Sequence, residues 1–302
     1  MNDQTAEVSQ RGHVGVYIKQ SLSLAKIHLS LLVACASYFG FLLNSVLPQN
    51  RGFIVASGVF FLSCACSTLN NIQDRNIDAL HERTRNRPLP QKAVTIRYAS
   101  VQFCFLMVTA VFLLTYAIKT PIPALLGLLS LVLYNGCYTP LKKRTLFALV
   151  PGTLCGMLPP LIGWTAAGGQ QSAATIIIVM MIFGVWQIPH TWIIILRHFT
   201  DSSETSIPGF SDYFSQDSLK RVLFVWVSSF AVLLLLLTSS DAVLTDIVRW
   251  IIVINAIGLI SGFAIGLFLK KETCYRWLFV HLNLSLLLIM LPVFFERVLL
   301  AV

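Results

Sequence analysis

The chain has 302 residues, of which 56% are apolar and only 12% charged, with a mean hydropathy of +0.75. Ordinary globular chains carry about twice that charge, so the composition excludes a cytosolic enzyme and a disordered chain. Its 22 Lys plus Arg against 13 Asp plus Glu give a net charge of +9, which membrane topology accounts for without a nucleic-acid partner.

Residues 1–26 are polar and mildly basic, with no pattern of a cleavable leader, and are read as a cytoplasmic N-terminal segment ahead of one transmembrane domain covering 27–302. A hydrocarbon core about 30 Å thick needs roughly 20 helical residues. Nine apolar runs of about that length follow, at 27–47, 52–71, 98–118, 121–138, 146–167, 173–195, 221–239, 247–269 and 277–296. An isolated run in lipid must satisfy its own backbone, so each is a helix. The expected fold is an all-α membrane protein, a bundle of nine transmembrane helices around a central cavity.

Basic residues fix the expected orientation. With nine spans, eighteen Lys and Arg fall on one side and only Arg51, Lys119, Arg249 and Arg297 on the other. The rich side includes the N-terminus, which is therefore placed in the cytoplasm. The seven Cys lie mostly in apolar runs, with no CxxC pair and no His at metal-site spacing, and read as small packing residues.

Two polar stretches on the cytoplasmic side hold most of the acids. The second span runs into Asn70, Asp74 and Asp78, which at a spacing of four share one helical face about 6 Å apart along the axis. Carboxylates so placed repel unless a cation lies between them, and hard oxygen donors at this spacing suit Mg²⁺ held jointly with substrate phosphates. Arg83, Arg85, Arg87 and Lys92 follow, as a diphosphate requires to balance its charge. The plainer reading is a solvated membrane-edge helix whose Asp and Arg pair at i to i+4. The second stretch contains Asp201 and Glu204 among Ser and Thr residues, a second metal site or simply a helix cap.

The motifs resemble the UbiA-type intramembrane prenyltransferase family, and within it the branch that farnesylates haem. Asn70, Asp74 and Asp78 with Arg83-Thr84 and Arg87-Pro88-Leu89 look like its NxxxDxxxD motif and RTxxRPL extension. Tyr138-Thr139-Pro140-Leu141-Lys142-Lys143-Arg144-Thr145, then Pro159-Pro160-Leu161-Ile162-Gly163-Trp164, then Trp186-Gln187-Ile188-Pro189-His190 point to haem rather than a quinone as acceptor. The second acidic motif departs from the family: Ser202 stands where Tyr is usual, and Gly209-Phe210 follows Pro208.

The resemblance implies a Mg²⁺-dependent transfer of farnesyl from farnesyl diphosphate to the vinyl group of haem B, giving haem O for haem-copper oxidases. It implies catalysis by Asn70, Asp74 and Asp78, metal on Asp74, Asp78 and Asp201, and diphosphate held by Arg83, Arg87, Lys142, Lys143 and Arg144. His190, Trp186, Gln187 and Tyr138 would contact the haem, with Pro159, Pro160 and Gly163 shaping a kink that opens the cavity. The expected setting is a bacterial inner membrane with the site facing the cytoplasm, where oxidase assembly factors could dock. A non-catalytic haem-binding derivative, a quinone-type acceptor and a transporter are the competing readings. The transporter requires acids deep within spans, of which the sequence has almost none.

Overall fold

The computed structural model describes residues 15–45, 49–82, 84–116, 120–169, 172–197, 215–270 and 273–299. Among these residues there are no named strands, and ten helices follow in chain order. They are α1 (Gly15–Ala25), α2 (Ile27–Leu43), α3 (Gln49–Asp78), α4 (Ile96–Tyr116) and α5 (Ile122–Leu141). After them come α6 (Leu149–Ala167), α7 (Ala173–Arg197), α8 (Gln216–Leu237), α9 (Asp246–Leu269) and α10 (Tyr275–Leu299). Eight are each long and apolar enough to cross a membrane, and α1 with α2, bent by 48°, passes as a ninth when taken together. The protein is an integral, multi-pass membrane protein.

Lipid replaces water around this bundle, and the exposed surface shows it. Phe105, Val108, Phe112 and Tyr116 form an exposed stripe on α4, and Ile247, Trp250, Ile254 and Ile257 form another on α9, each at helical spacing. With apolar groups equally at home in lipid, close packing rather than water exclusion draws the helices together. Small residues therefore sit where they meet. A Cβ on Gly40 would fall 2.0 Å from the Pro160 carbonyl oxygen, and one on Gly163 would fall 1.8 Å from that of Ser37. The α2–α6 seam thus admits only glycine at these two points.

That seam gives Gly163 a packing role. Pro159 and Pro160 lie within the uninterrupted helix α6, and both are buried with Gly163. Gly163 serves the close approach to α2, because its missing side chain is where the other backbone passes. Helix α6 ends at Gly168, whose φ of 74° places it in the left-handed region that glycine adopts without strain.

Helix α3 is longer than the span expected from its apolar run. Its 30 residues make about 45 Å of helix, so the end bearing Asn70, Asp74 and Asp78 projects past a hydrocarbon core about 30 Å thick. No Gly or Pro interrupts 70–78, and the helix continues. Beyond it, residues 84–95 fold as successive turns, with Leu89 and Val94 buried against Leu24 and Ala99. These apolar anchors bring the basic loop back over the end of α3.

Candidate active site

The polar end of α3 is buried: Asn70, Asp74 and Asp78 are 2%, 4% and 5% exposed. Such acids need partners, and among the described residues their cationic partners come from beyond the i to i+4 positions of α3. Arg87 folds back to donate from Nη1 to both Asp78 oxygens, at 2.9 and 2.7 Å. Lys142 Nζ lies 2.5 Å from Asp74 Oδ2 and Lys143 Nζ 3.0 Å from Asp74 Oδ1. Asn70 Nδ2 donates to Asp74 Oδ2 at 2.8 Å and to Thr139 Oγ1 at 3.1 Å. The three residues expected on one face are thus gathered with Arg87 and the two lysines.

The lysines are presented by an irregular helix. Within α5, Val132–Tyr138 forms a π-turn, a wider turn that often marks functional sites. It faces α3 through a reciprocal pair in which Gln73 Nε2 donates to the Asn135 carbonyl, at 3.0 Å, and Asn135 Nδ2 donates to Gln73 Oε1, at 3.1 Å. Asn135 Nδ2 also donates to the Cys66 carbonyl. The α5 terminus is clamped to α3, and Lys142 and Lys143 follow one turn later. Lys142 Nζ also lies 5.4 Å from the centre of the Tyr138 ring, a cation–π contact. Arg144 makes no ion pair with either carboxylate among the described residues, while the expected cation Arg83 and the expected metal ligand Asp201 lie outside the described residues.

Lys26, a basic residue of the N-terminal segment, belongs to this group. It sits at the α1–α2 bend with φ 47° and ψ 54°, a left-handed conformation that is strained for a residue with a side chain. Its Nζ donates to Asn70 Oδ1 at 3.3 Å. Four cations therefore surround two carboxylates. Asn70 is 44 residues away, and the packing joins the two.

The WQIPH stretch lies on α7, with the His190 ring centre 4.7 Å from those of both Trp186 and Phe279. Trp186 Nε1, His190 Nδ1 and Thr153 Oγ1 are buried with no hydrogen-bond partner among the described residues. Buried polar atoms of this kind call for a ligand or water. Helix α6 links this patch to the carboxylates. Tyr138 rests on Gly152 and Gln187 on Gly156: a Cβ at these glycines would lie 3.0 and 1.5 Å from the respective side chains. Glycines four apart share one helical face about 6 Å apart along the axis. Tyr138 and Gln187 thus lie side by side over α6.

Divalent metal fits this donor set in a restricted way. Asp74, Asp78 and the Asn70 carbonyl are hard oxygen donors, but no group of three or more His, Cys, Asp or Glu suited to a metal occurs among the described residues. Mg²⁺ is commonly bound through one or two carboxylates together with substrate phosphates. The site suits a metal shared with a diphosphate, toward which Arg87, Lys142 and Lys143 would offer their charge, and not an all-protein cage.

Comparison with known proteins shows what the chain resembles as a whole. A protoheme IX farnesyltransferase of Geobacter sulfurreducens is 35% identical over 233 residues, covering 77% of this chain and 86% of the relative. One of Oleidesulfovibrio alaskensis is 31% identical over 280 residues, covering 93% and 97%. In fold, a digeranylgeranylglyceryl phosphate synthase superposes with a TM-score of 0.76 at 15% identity, over 94% of this chain and 99% of the other. A UbiA homologue from Archaeoglobus fulgidus bound to GPP and Mg²⁺ gives 0.63 at 14% identity, over 91% and 99%. The UbiA prenyltransferase family model matches residues 30–287, and the chain, a membrane-embedded prenyltransferase, belongs to that family.

Proposed function

We propose that the protein transfers a farnesyl group from farnesyl diphosphate to a vinyl group of haem B, forming haem O with Mg²⁺ as cofactor. The observation that carries the prenyl-transfer chemistry is the buried face of Asn70, Asp74 and Asp78 set among Lys26, Arg87, Lys142 and Lys143. The names of the relatives and the orphaned polar atoms around His190 favour haem as acceptor. Residues 27–302 act as one domain, with the site at the cytoplasmic face of a bacterial inner membrane.

Bound on Asp74 and Asp78, Mg²⁺ would add electrophilic stabilisation of the diphosphate oxygens. The chain's own part is to position and neutralise. Lys142, Lys143, Arg87 and Lys26 offer fixed positive charge to the leaving group as the farnesyl C–O bond breaks and its electron pair departs with diphosphate. The apolar interior keeps water from the allylic cation. The haem vinyl π-electrons then form the new C–C bond, and water adds to the resulting cation with loss of a proton, giving the hydroxyethylfarnesyl side chain. His190 and Trp186 would hold the acceptor through their unpartnered nitrogens, with Gln187 and Tyr138 between the two substrates. No protein nucleophile is required.

Membranes containing the chain are expected to convert haem B and farnesyl diphosphate to haem O in a Mg²⁺-dependent way. In Asp74→Asn or Asp78→Asn the rate should fall by more than about a hundredfold, as read by chromatography of extracted haems. Undiminished haem O in both variants would refute the assigned roles.

A further inference from the structure

Away from the carboxylates, at the same end of the bundle, the start of α8 and the end of α9 enclose a cavity of about 430 Å³. Among the described residues, Asp217, Lys220, Arg221, Lys270, Leu267 and Phe268 line it. Asp217 lies 3.8 Å from Lys220 and offsets that charge, leaving Arg221 and Lys270 as the surplus among the described residues. Lys270 Nζ lies 5.7 Å from the centre of the Trp277 ring, and Trp is typical of the membrane–water boundary. This places the cations at headgroup depth.

The apolar part of the lining is Leu267 and Phe268. Phe268 stacks edge-on against Phe224 at 5.5 Å. Phe224 in turn opens a groove of about 600 Å³ lined by Val225, Ser228 and Val232 of α8 with Met181 and Val185 of α7. Lys220 and Val232 are twelve residues apart on α8, about 18 Å of helix, slightly more than the roughly 15 Å depth of one leaflet. The groove is mostly apolar, and the Ser229 hydroxyl on it is spent on the Val225 carbonyl at 3.0 Å.

We infer that this face of α8 is a binding site for one anionic phospholipid, its phosphate between Arg221 and Lys270 and an acyl chain along the groove from Phe224 to Val232. Charge complementarity selects the headgroup, since basic pockets at the cytoplasmic ends of transmembrane helices suit anionic lipid. The two cavities adjoin where Phe268 of one meets Phe224 of the other, an arrangement that suits an amphiphile with a long tail better than a free anion. Nothing in this assignment depends on the acceptor of the prenyl group.

The test is native mass spectrometry of the full chain in detergent, titrated with phosphatidylglycerol and, separately, phosphatidylcholine. The unmodified protein should retain one phosphatidylglycerol in preference to phosphatidylcholine. In R221Q/K270Q the affinity for phosphatidylglycerol should fall roughly thirtyfold, while K19Q/R97Q, which removes two exposed cations elsewhere, should leave it unchanged. Both variants should keep prenyl-transfer activity in excess lipid, which separates lipid loss from misfolding. Equal retention in R221Q/K270Q and the unmodified chain, or equal loss in the two double variants, would overturn the site.

Discussion

Lys26, Arg87, Lys142 and Lys143 outnumber the carboxylates of Asp74 and Asp78 two to one. A free dication approaching this pocket meets surplus positive charge, whereas a diphosphate is attracted by it and then supplies the oxygens a metal needs. Metal and diphosphate should therefore bind with positive coupling. Inorganic diphosphate is expected to tighten Mn²⁺ binding, followed by electron paramagnetic resonance, by about tenfold or more. Removing both lysines in K142Q/K143Q should shrink that coupling, and Mn²⁺ affinity indifferent to diphosphate would contradict the charge argument. The sequence showed Asn70, Asp74 and Asp78 on one face because helical periodicity is local. It did not show that Lys26 joins them, nor that Asp78 pairs with Arg87, nine residues on, rather than at i+4.

Between elements, the glycines set the distances. The Gly163 Cβ position coincides with the Ser37 backbone, and backbone cannot yield as a flexible side chain does. Gly163→Ala should therefore lower stability by about 3 kcal/mol, the upper part of the range for overpacking, read as reduced thermal stability in detergent. Gly156→Ala meets the Gln187 amide instead, a side chain that can swing away. Its expected effect is local: haem O formation weakened through a raised haem B KM, with thermal stability nearly retained. A large stability loss there, with an unchanged KM, would place Gln187 in the packing rather than at the acceptor. The PPxxGW motif was legible as a feature of one span, but its role was not. Whether a Gly next to two prolines bends a helix or admits another depends on what lies opposite.

Across the whole molecule, the end remote from the carboxylates is closed by a clamp. Glu296, a 6% exposed acid of α10, accepts from the Leu244 and Thr245 backbone N–H groups at 2.8 and 2.5 Å. Arg297 reaches the Ala242 and Asp241 carbonyls. Glu296 thus satisfies backbone donors at the start of α9 and complements its dipole, a structural use for a buried acid that otherwise suggests ion transport. Glu296→Ala should destabilise the fold by about 2 kcal/mol without altering substrate KM values.

Orientation is testable through Cys274, exposed just before α10. With the carboxylate end in the cytoplasm, a membrane-impermeant maleimide should label Cys274 in inverted vesicles but not in intact spheroplasts, with Cys274→Ser as control.

Nine apolar runs, an all-helical bundle and an acidic face near a membrane edge could be determined from the sequence alone. Span length and helical period depend on residues within a few turns of one another, and lipid imposes them on every segment alike. The tertiary structure decided which cations meet the carboxylates, that Tyr138 and Gln187 rest on one face of α6, and that Gly163 packs against α2. Those contacts join residues tens of positions apart, and their partners are chosen by how helices with nearly uniform apolar surfaces fit together.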